Sequence, residues 1–126
     1  MFEIRAGTHF DAAHRLPDYN GPCARMHGHR FEVEAAVTGD ELGPGEMLLD
    51  FHYLRRLLEE VVAPLDHNCL NDVDPFTEIS PTSENLARFI YRALARKLAD
   101  SAGGARLAWV GVSESPDTKA LYREAD

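Results

Sequence analysis

Two cysteines in 126 residues are too few for a disulfide framework, and one of them, Cys23, stands inside a histidine-rich run, which fits a reducing compartment. No apolar stretch reaches the ~20 residues that cross a bilayer. The first residues lack the charged-then-apolar pattern of a secretory leader, so the expectation is a cytoplasmic protein with no membrane partner. Cations are also scarce. Lys and Arg total 13 against 21 Asp and Glu, and the formal net charge of −8 argues against nucleic acid and anionic surfaces as partners. An anionic substrate would need a local basic cluster, for which Arg15, Arg25 and Lys119 are candidates. Repeats and low-complexity segments are absent, and the length suffices for one hydrophobic core, so residues 1–126 are expected to form a single domain.

What the chain does have is imidazole in a telling arrangement. His27-Gly28-His29 follows Cys23 closely, and His14 lies thirteen residues upstream of His27. Side chains at i and i+2 of an extended segment share a face, so His27 and His29 can reach one ion. The same parity continues through Phe31, Val33, Ala35 and Val37, while Phe2, Ile4, Ala6, Phe10, Ala12 and His14 share the even face of an upstream strand. Three neutral imidazoles on a dry layer suit a divalent ion, and an all-His set of three leaves the open position of catalytic zinc. Iron and copper also accept imidazole. Gly28 is expected to permit unusual backbone angles or a close approach. His9, of opposite parity, and His52, at a helix start, read as surface or capping groups.

The element order reads ββααββ, an α+β fold with an antiparallel sheet and two helices on one face. Residues 2–14 and 29–38 alternate as strands, joined by a loop with Pro17, Gly21, Pro22 and Cys23. Asp50 caps a helix over 51–63 that buries Leu54, Leu57, Leu58, Val61 and Val62 and stops at Pro64. Ser80 or Thr82 caps a second helix carrying Leu86, Phe89, Ile90, Ala93, Leu94 and Leu98. Residues 106–114 and 118–124 form a closing pair across Ser115-Pro116-Asp117. Four strands leave two open sheet edges, which oligomers joined edge to edge would cover.

Candidate acids and bases complete the chemistry. Cys23 lies four residues before His27, where a nearby cation would populate its thiolate. Its alternative is an inert small filler, the role expected of Cys69. Asp66-His67 can act as an acid–base unit in which the carboxylate fixes the imidazole tautomer, provided the loop turns there. Glu114 has the parity of Ala108, Val110 and Val112, which puts a carboxylate at the end of an apolar face. It needs either a substrate edge with two donors or a salt-bridge partner.

Taken together, Phe10-Asp11-Ala12-Ala13-His14-Arg15-Leu16, Cys23 with His27-Gly28-His29, Asp50-Phe51, Leu65-Asp66-His67, Leu70-Asn71, Pro81-Thr82-Ser83-Glu84-Asn85-Leu86-Ala87 and Glu114 with Tyr122 resemble the 6-pyruvoyltetrahydropterin synthase family over nearly the whole chain. Three residues between the cysteine and the His-Gly-His run, with no glutamate among Ala24, Arg25 and Met26, resemble its bacterial 6-carboxytetrahydropterin synthase branch in queuosine biosynthesis. The resemblance implies the tunnelling fold, with trimers closing their sheets into a barrel and stacking as a homohexamer. It also implies an active site between subunits. There Zn2+ on His14, His27 and His29 binds the side-chain hydroxyls of dihydroneopterin triphosphate, Cys23 and the Asp66–His67 pair carry protons, and Glu114, Thr82 and Ser83 hold the pterin. The implied outcome is a 6-carboxypterin with release of acetaldehyde and triphosphate. The family usually has Thr where this chain has Ser115, a change that keeps the hydroxyl. Three other readings stay open: a synthase of the 6-pyruvoyl product, a zinc hydrolase, which needs no essential Cys23, and a pterin-binding module, which needs no thiol.

Overall fold

The computed structural model describes residues 1–17, 21, 24–99 and 104–124. Cys23, the expected thiol of the site, lies outside the described residues. The chain runs through β1 (Phe2–His14), β2 (His27–Gly39), α1 (Phe51–Val62), α2 (Ser83–Leu98), β3 (Arg106–Ser115) and β4 (Thr118–Tyr122). The strands form one antiparallel sheet in the order β1-β2-β3-β4, so β1 and β4 are its edges. This is the expected ββααββ α+β arrangement. No helix among the described residues is long and apolar enough to cross a membrane.

Period-two patterning decides which sheet face meets the helices. Phe10, Ala12 and His14 of β1 and Phe31, Val33, Ala35 and Val37 of β2 are buried, together with Leu54, Leu58 and Val61 of α1 and Leu86, Ile90 and Leu94 of α2. Both helices therefore cover one face. Phe10 stands opposite Phe31 in the register, and their rings stack with centroids 4.9 Å apart. Burying aliphatic and aromatic side chains of this size stabilises by about 1.5–3 kcal/mol each, which fixes the register because a slip of one residue would turn the whole set to solvent.

The register of β1 and β2 runs unbroken from Phe2↔Gly39 to His14↔His27, so β2 starts two residues earlier than the alternation alone suggested. On the other flank the pairing of β2 with β3 shifts between Ala36 and Val37. The irregularity changes the parity of β3, and Leu107 rather than Ala108 joins Val110 and Val112 against the core. Glu114 keeps the expected face because it lies beyond the shift. The Asp50 carboxylate accepts from the His52 amide and caps α1, which ends at Val62 in a short 3-10 turn over Ala63–Leu65. Thr82, not Ser80, caps α2 by accepting from the Asn85 amide, leaving Pro81 just outside the helix, where its carbonyl lies 2.8 Å from His14 Nδ1.

The uncovered face carries charge. The Lys119 ammonium lies 3.1 Å from a Glu34 carboxylate oxygen there, and Lys119, a candidate for holding an anionic substrate, also borders a cavity with Thr82, Ser83 and Glu114.

Candidate active site

The β1–β2 register brings three imidazoles together. His14 sits directly across from His27, and His29 sits across from Ala12, whose small side chain leaves room for the ring. Ring centroids are 4.6 Å apart for His14 and His27, 4.7 Å for His27 and His29 and 5.3 Å for His14 and His29, all edge to face. One donor atom from each ring falls within 4.8 Å of the others.

Backbone carbonyls decide which nitrogens point inward. His14 Nδ1 lies 2.8 Å from the Pro81 oxygen, and His27 Nδ1 lies 2.6 Å from the Arg25 oxygen. A carbonyl can only accept, so in both rings Nδ1 carries the proton and Nε2 keeps its lone pair. The Nε2 atoms of His14 and His29 are buried without a hydrogen-bond partner. Buried ring nitrogens without a partner carry a desolvation cost that a metal ion would relieve, and a carbonyl-anchored ring such as those of His14 and His27 is the usual support of a metal-ligating histidine. Burial pushes the His14 imidazole below its ordinary 6.5, against the opposing pull of the Pro81 carbonyl and Glu114, so the ring is neutral and available at neutral pH. The residues fit a divalent ion. Gly28 does not supply the special geometry expected of it: a Cβ there would approach the Ala12 carbonyl oxygen at 3.8 Å, an ordinary contact.

Glu114 stands beside the triad. One carboxylate oxygen, Oε1, is 3.8 Å from His14 Nε2 and accepts from the Ser83 hydroxyl at 3.1 Å, while Oε2 is 3.6 Å from His29 Nε2. Neither Arg nor Lys is recorded against it, so the salt-bridge alternative finds no support among the described residues. Ser83, Thr82, Glu114, Leu16 and Thr118 share a cavity of about 380 Å3 at the start of α2. The stretch Pro81-Thr82-Ser83 thus gives a carbonyl to the buried ligand, a cap to the helix and a hydroxyl to Glu114.

The acid–base pair forms as well, in a separate cleft. Asp66 Oδ2 lies 2.9 Å from His67 Nδ1, and the turn this needs is present: His67 adopts φ 57°, left-handed for a residue with a Cβ. The free edge of β1 imposes that turn. The Asp11 amide donates to Asp66 Oδ1 at 2.9 Å and the His67 amide donates to the Asp11 carbonyl at 2.6 Å. Asn68 Nδ2 donates to the carbonyls of Pro64 and Asp66 across the bend. Further along, the Ala13 amide donates to the Asn68 carbonyl, and the Asn71 side-chain amide both accepts from the Arg15 amide and donates to the Arg15 carbonyl. Residues 66–71 therefore line the strand edge that ends in His14. Sequence reasoning gave no role to Asn68 or to any of these main-chain groups, although Asn71 stood in the Leu70-Asn71 motif.

Asp11, Asp66 and His67 also converge closely, yet Asp11 Oδ1 accepts from Arg30 Nε and both Asp66 oxygens are engaged, so these acceptors are satisfied within the protein. The cleft beside the pair, about 610 Å3, is bordered by His29, Arg30, His67 and Cys69. Cys69 is half-buried, with its sulfur 3.8 Å from that of Met26, and so forms part of the cleft wall rather than of the core.

The Asp11 amide, followed by His67, holds the Asp66 carboxyl below its ordinary 3.8. A depressed folded value means that the contribution of Asp66 to stability is complete above the unfolded value and is lost as pH falls through the folded one. Asp66→Asn should therefore lower the urea midpoint at neutral pH. The gap from wild type should close only below about pH 3.8. A gap that is constant from pH 7 to pH 2 would contradict this.

Comparison with known proteins agrees with this geometry. The chain is 37% identical over 127 residues to a 6-carboxy-5,6,7,8-tetrahydropterin synthase of Synechocystis sp., an alignment covering 97% of this chain and 93% of that protein. It is 33% identical over 127 residues to the protein of the same name from Bacillus subtilis, covering 97% of this chain and 85% of the relative. Its fold matches the solved structure of Caenorhabditis elegans 6-pyruvoyl tetrahydropterin synthase with a TM-score of 0.86 at 24% identity, over 98% of this chain and 96% of the other. With residues 3–125 also matching the profile described as 6-pyruvoyl tetrahydropterin synthase, the chain belongs to that family.

Proposed function

We propose that this chain is a zinc-dependent carbon–carbon lyase that converts 7,8-dihydroneopterin triphosphate to 6-carboxy-5,6,7,8-tetrahydropterin, releasing acetaldehyde and triphosphate, in cytoplasmic queuosine biosynthesis. The observation that carries this reading is the convergence of three imidazoles, two with orphaned buried Nε2 atoms, beside a carboxylate held by the start of α2. His14, His27 and His29 would hold the ion. When bound, it acidifies the substrate's side-chain hydroxyls and polarises a developing carbonyl.

The remaining roles belong to the chain's own groups. Glu114 offers two acceptor oxygens to the amino and amide edge of a pterin ring, with Thr82 and Ser83 lining the same cavity. Cys23 takes a proton from the substrate side chain. His67 carries the second, with its tautomer set by Asp66: Nδ1 holds its proton towards the carboxylate and Nε2 is free to exchange one with substrate. Glu114 and His67 border different clefts of one chain. A site shared between subunits of a hexamer of two stacked trimers accounts for that separation, and pairing of the β1 and β4 edges accounts for how the sheets close.

The test is to incubate the zinc-loaded protein with dihydroneopterin triphosphate and identify products by mass spectrometry, with Cys23→Ala alongside. A 6-carboxypterin with acetaldehyde, lost in the variant, is the expected result. A pyruvoyl product would move the chain to the biopterin-forming activity, and absence of turnover would sink the lyase reading.

A further inference from the structure

Glu114 is placed for more than one task. Around a tetrahedral ion with ligand distances of ~2.0–2.1 Å, neighbouring donor atoms lie about 3.3 Å apart. Glu114 Oε1 is 3.8 Å from His14 Nε2 and Oε2 is 3.6 Å from His29 Nε2, so each carboxylate oxygen stands within about half an ångström of that spacing from one ligand nitrogen. Those two nitrogens are the buried ones without a partner. The side chain is about three-quarters shielded, at 25% exposure, and among the described residues its one hydroxyl or amide donor is Ser83, on Oε1, which leaves Oε2 to face the triad. A carboxylate desolvated to this degree needs a positive partner, and among the described residues no Arg or Lys is recorded in contact with it.

We propose that Glu114 is the fourth ligand of the resting metal ion: its carboxylate closes the position that the three imidazoles leave open and gives it up when substrate hydroxyls arrive. The group that then accepts from the pterin ring is the one that guarded the ion beforehand. Binding of the ring and opening of the metal are thereby linked through a single side chain. This inference rests on the metal-triad reading above.

The test is a titration of metal-free protein with Co2+, recording the visible ligand-field bands, and with Zn2+ against a chromogenic chelator. Wild type, Glu114→Gln, Glu114→Asp and His27→Ala are compared without any substrate. Glu114→Gln should lower Zn2+ affinity by more than the roughly 10–100-fold seen when a group that only supports a metal ligand is lost. It should also change the intensity and position of the Co2+ bands, because a ligand has been exchanged. Should that variant fold poorly by circular dichroism, Glu114→Asp keeps the charge, draws the carboxylate back by one methylene, and should shift both readouts in the same direction.

Bands identical to wild type overturn the proposal even if affinity falls, since a carboxylate acting only through its charge would weaken binding without altering the ligand field. If His27→Ala binds Co2+ as wild type does, or if wild type binds none, the triad reading fails and this proposal fails with it. If wild type binds Co2+, His27→Ala does not, and the Glu114 variants match wild type, only the proposal about Glu114 is lost.

Discussion

His27→Ala should abolish tight divalent-ion binding while leaving the fold intact, with product formation lost alongside. His27 is the best ligand for this test because its ring is only partly buried, whereas His14 is fully buried and its removal would leave a cavity and an orphaned Pro81 carbonyl. Loss of one of the three imidazole ligands should cost more than the roughly 10–100-fold typical of a lost outer hydrogen-bond partner. A ligand that binds only the folded state adds RT ln(1 + [L]/Kd), about 2.7 kcal/mol at one hundred times Kd, which for a chain of this length corresponds to a rise in Tm of roughly 10 °C. Wild type should show that rise on addition of Zn2+, and His27→Ala should show none. Metal content after dialysis should fall from one ion per chain to background. A variant that keeps its ion and its thermal shift would remove His27 from the site and with it the basis for zinc chemistry here.

The triad was legible because it depends on the two most regular properties of a strand. Alternation put His14 on the face of Phe10 and Ala12, and His27 and His29 on the face of Phe31, and an antiparallel register needs only to be correct at the phenylalanines to bring the imidazoles together. Where the strand is irregular, alternation misleads. The shift between Ala36 and Val37 moves Ala108 off the core face, and nothing in the residues near it announces the change. Gly28 shows the opposite error, since a glycine between two ligands invites a conformational reason that the ordinary contact at its Cβ does not require.

Main-chain groups account for most of what the sequence could not supply. The carbonyls of Pro81 and Arg25 select the ring nitrogens that face the ion, and the amide and carbonyl of Asp11 set the turn at His67. Every residue carries a main-chain carbonyl and every residue but proline an amide donor, so their placement has almost no signature in residue type. The sequence could state only the condition, that Asp66 and His67 meet if the loop turns. The long connection between α1 and α2 does turn because part of it runs beside the free edge of β1. Asn68 and Asn71 are the side chains through which it does so, and they could have been suspected as residues apt to bond local backbone in bends.

His67→Ala should lower kcat by about 10²–10⁴-fold, the usual contribution of a positioned proton carrier, with KM and metal content near wild type. The structure separates these effects clearly. The His67 ring is 78% exposed and makes its recorded contact with Asp66, so its loss opens no cavity, and the Asp11 amide still holds the carboxylate. The His67 amide continues to donate to the Asp11 carbonyl whatever the side chain, and alanine keeps a Cβ in the same left-handed conformation, so the bend should persist. Asp66→Asn should fall between this variant and wild type. An asparagine amide keeps an acceptor for the Asp11 amide but no longer favours the tautomer with a proton on Nδ1. If His67→Ala instead turned over within tenfold of wild type, the second proton would have to travel by another group. The main-chain ladder from Asp11 to Arg15 would then serve to order the edge that carries His14, and its effect on turnover would pass through the metal ligand alone.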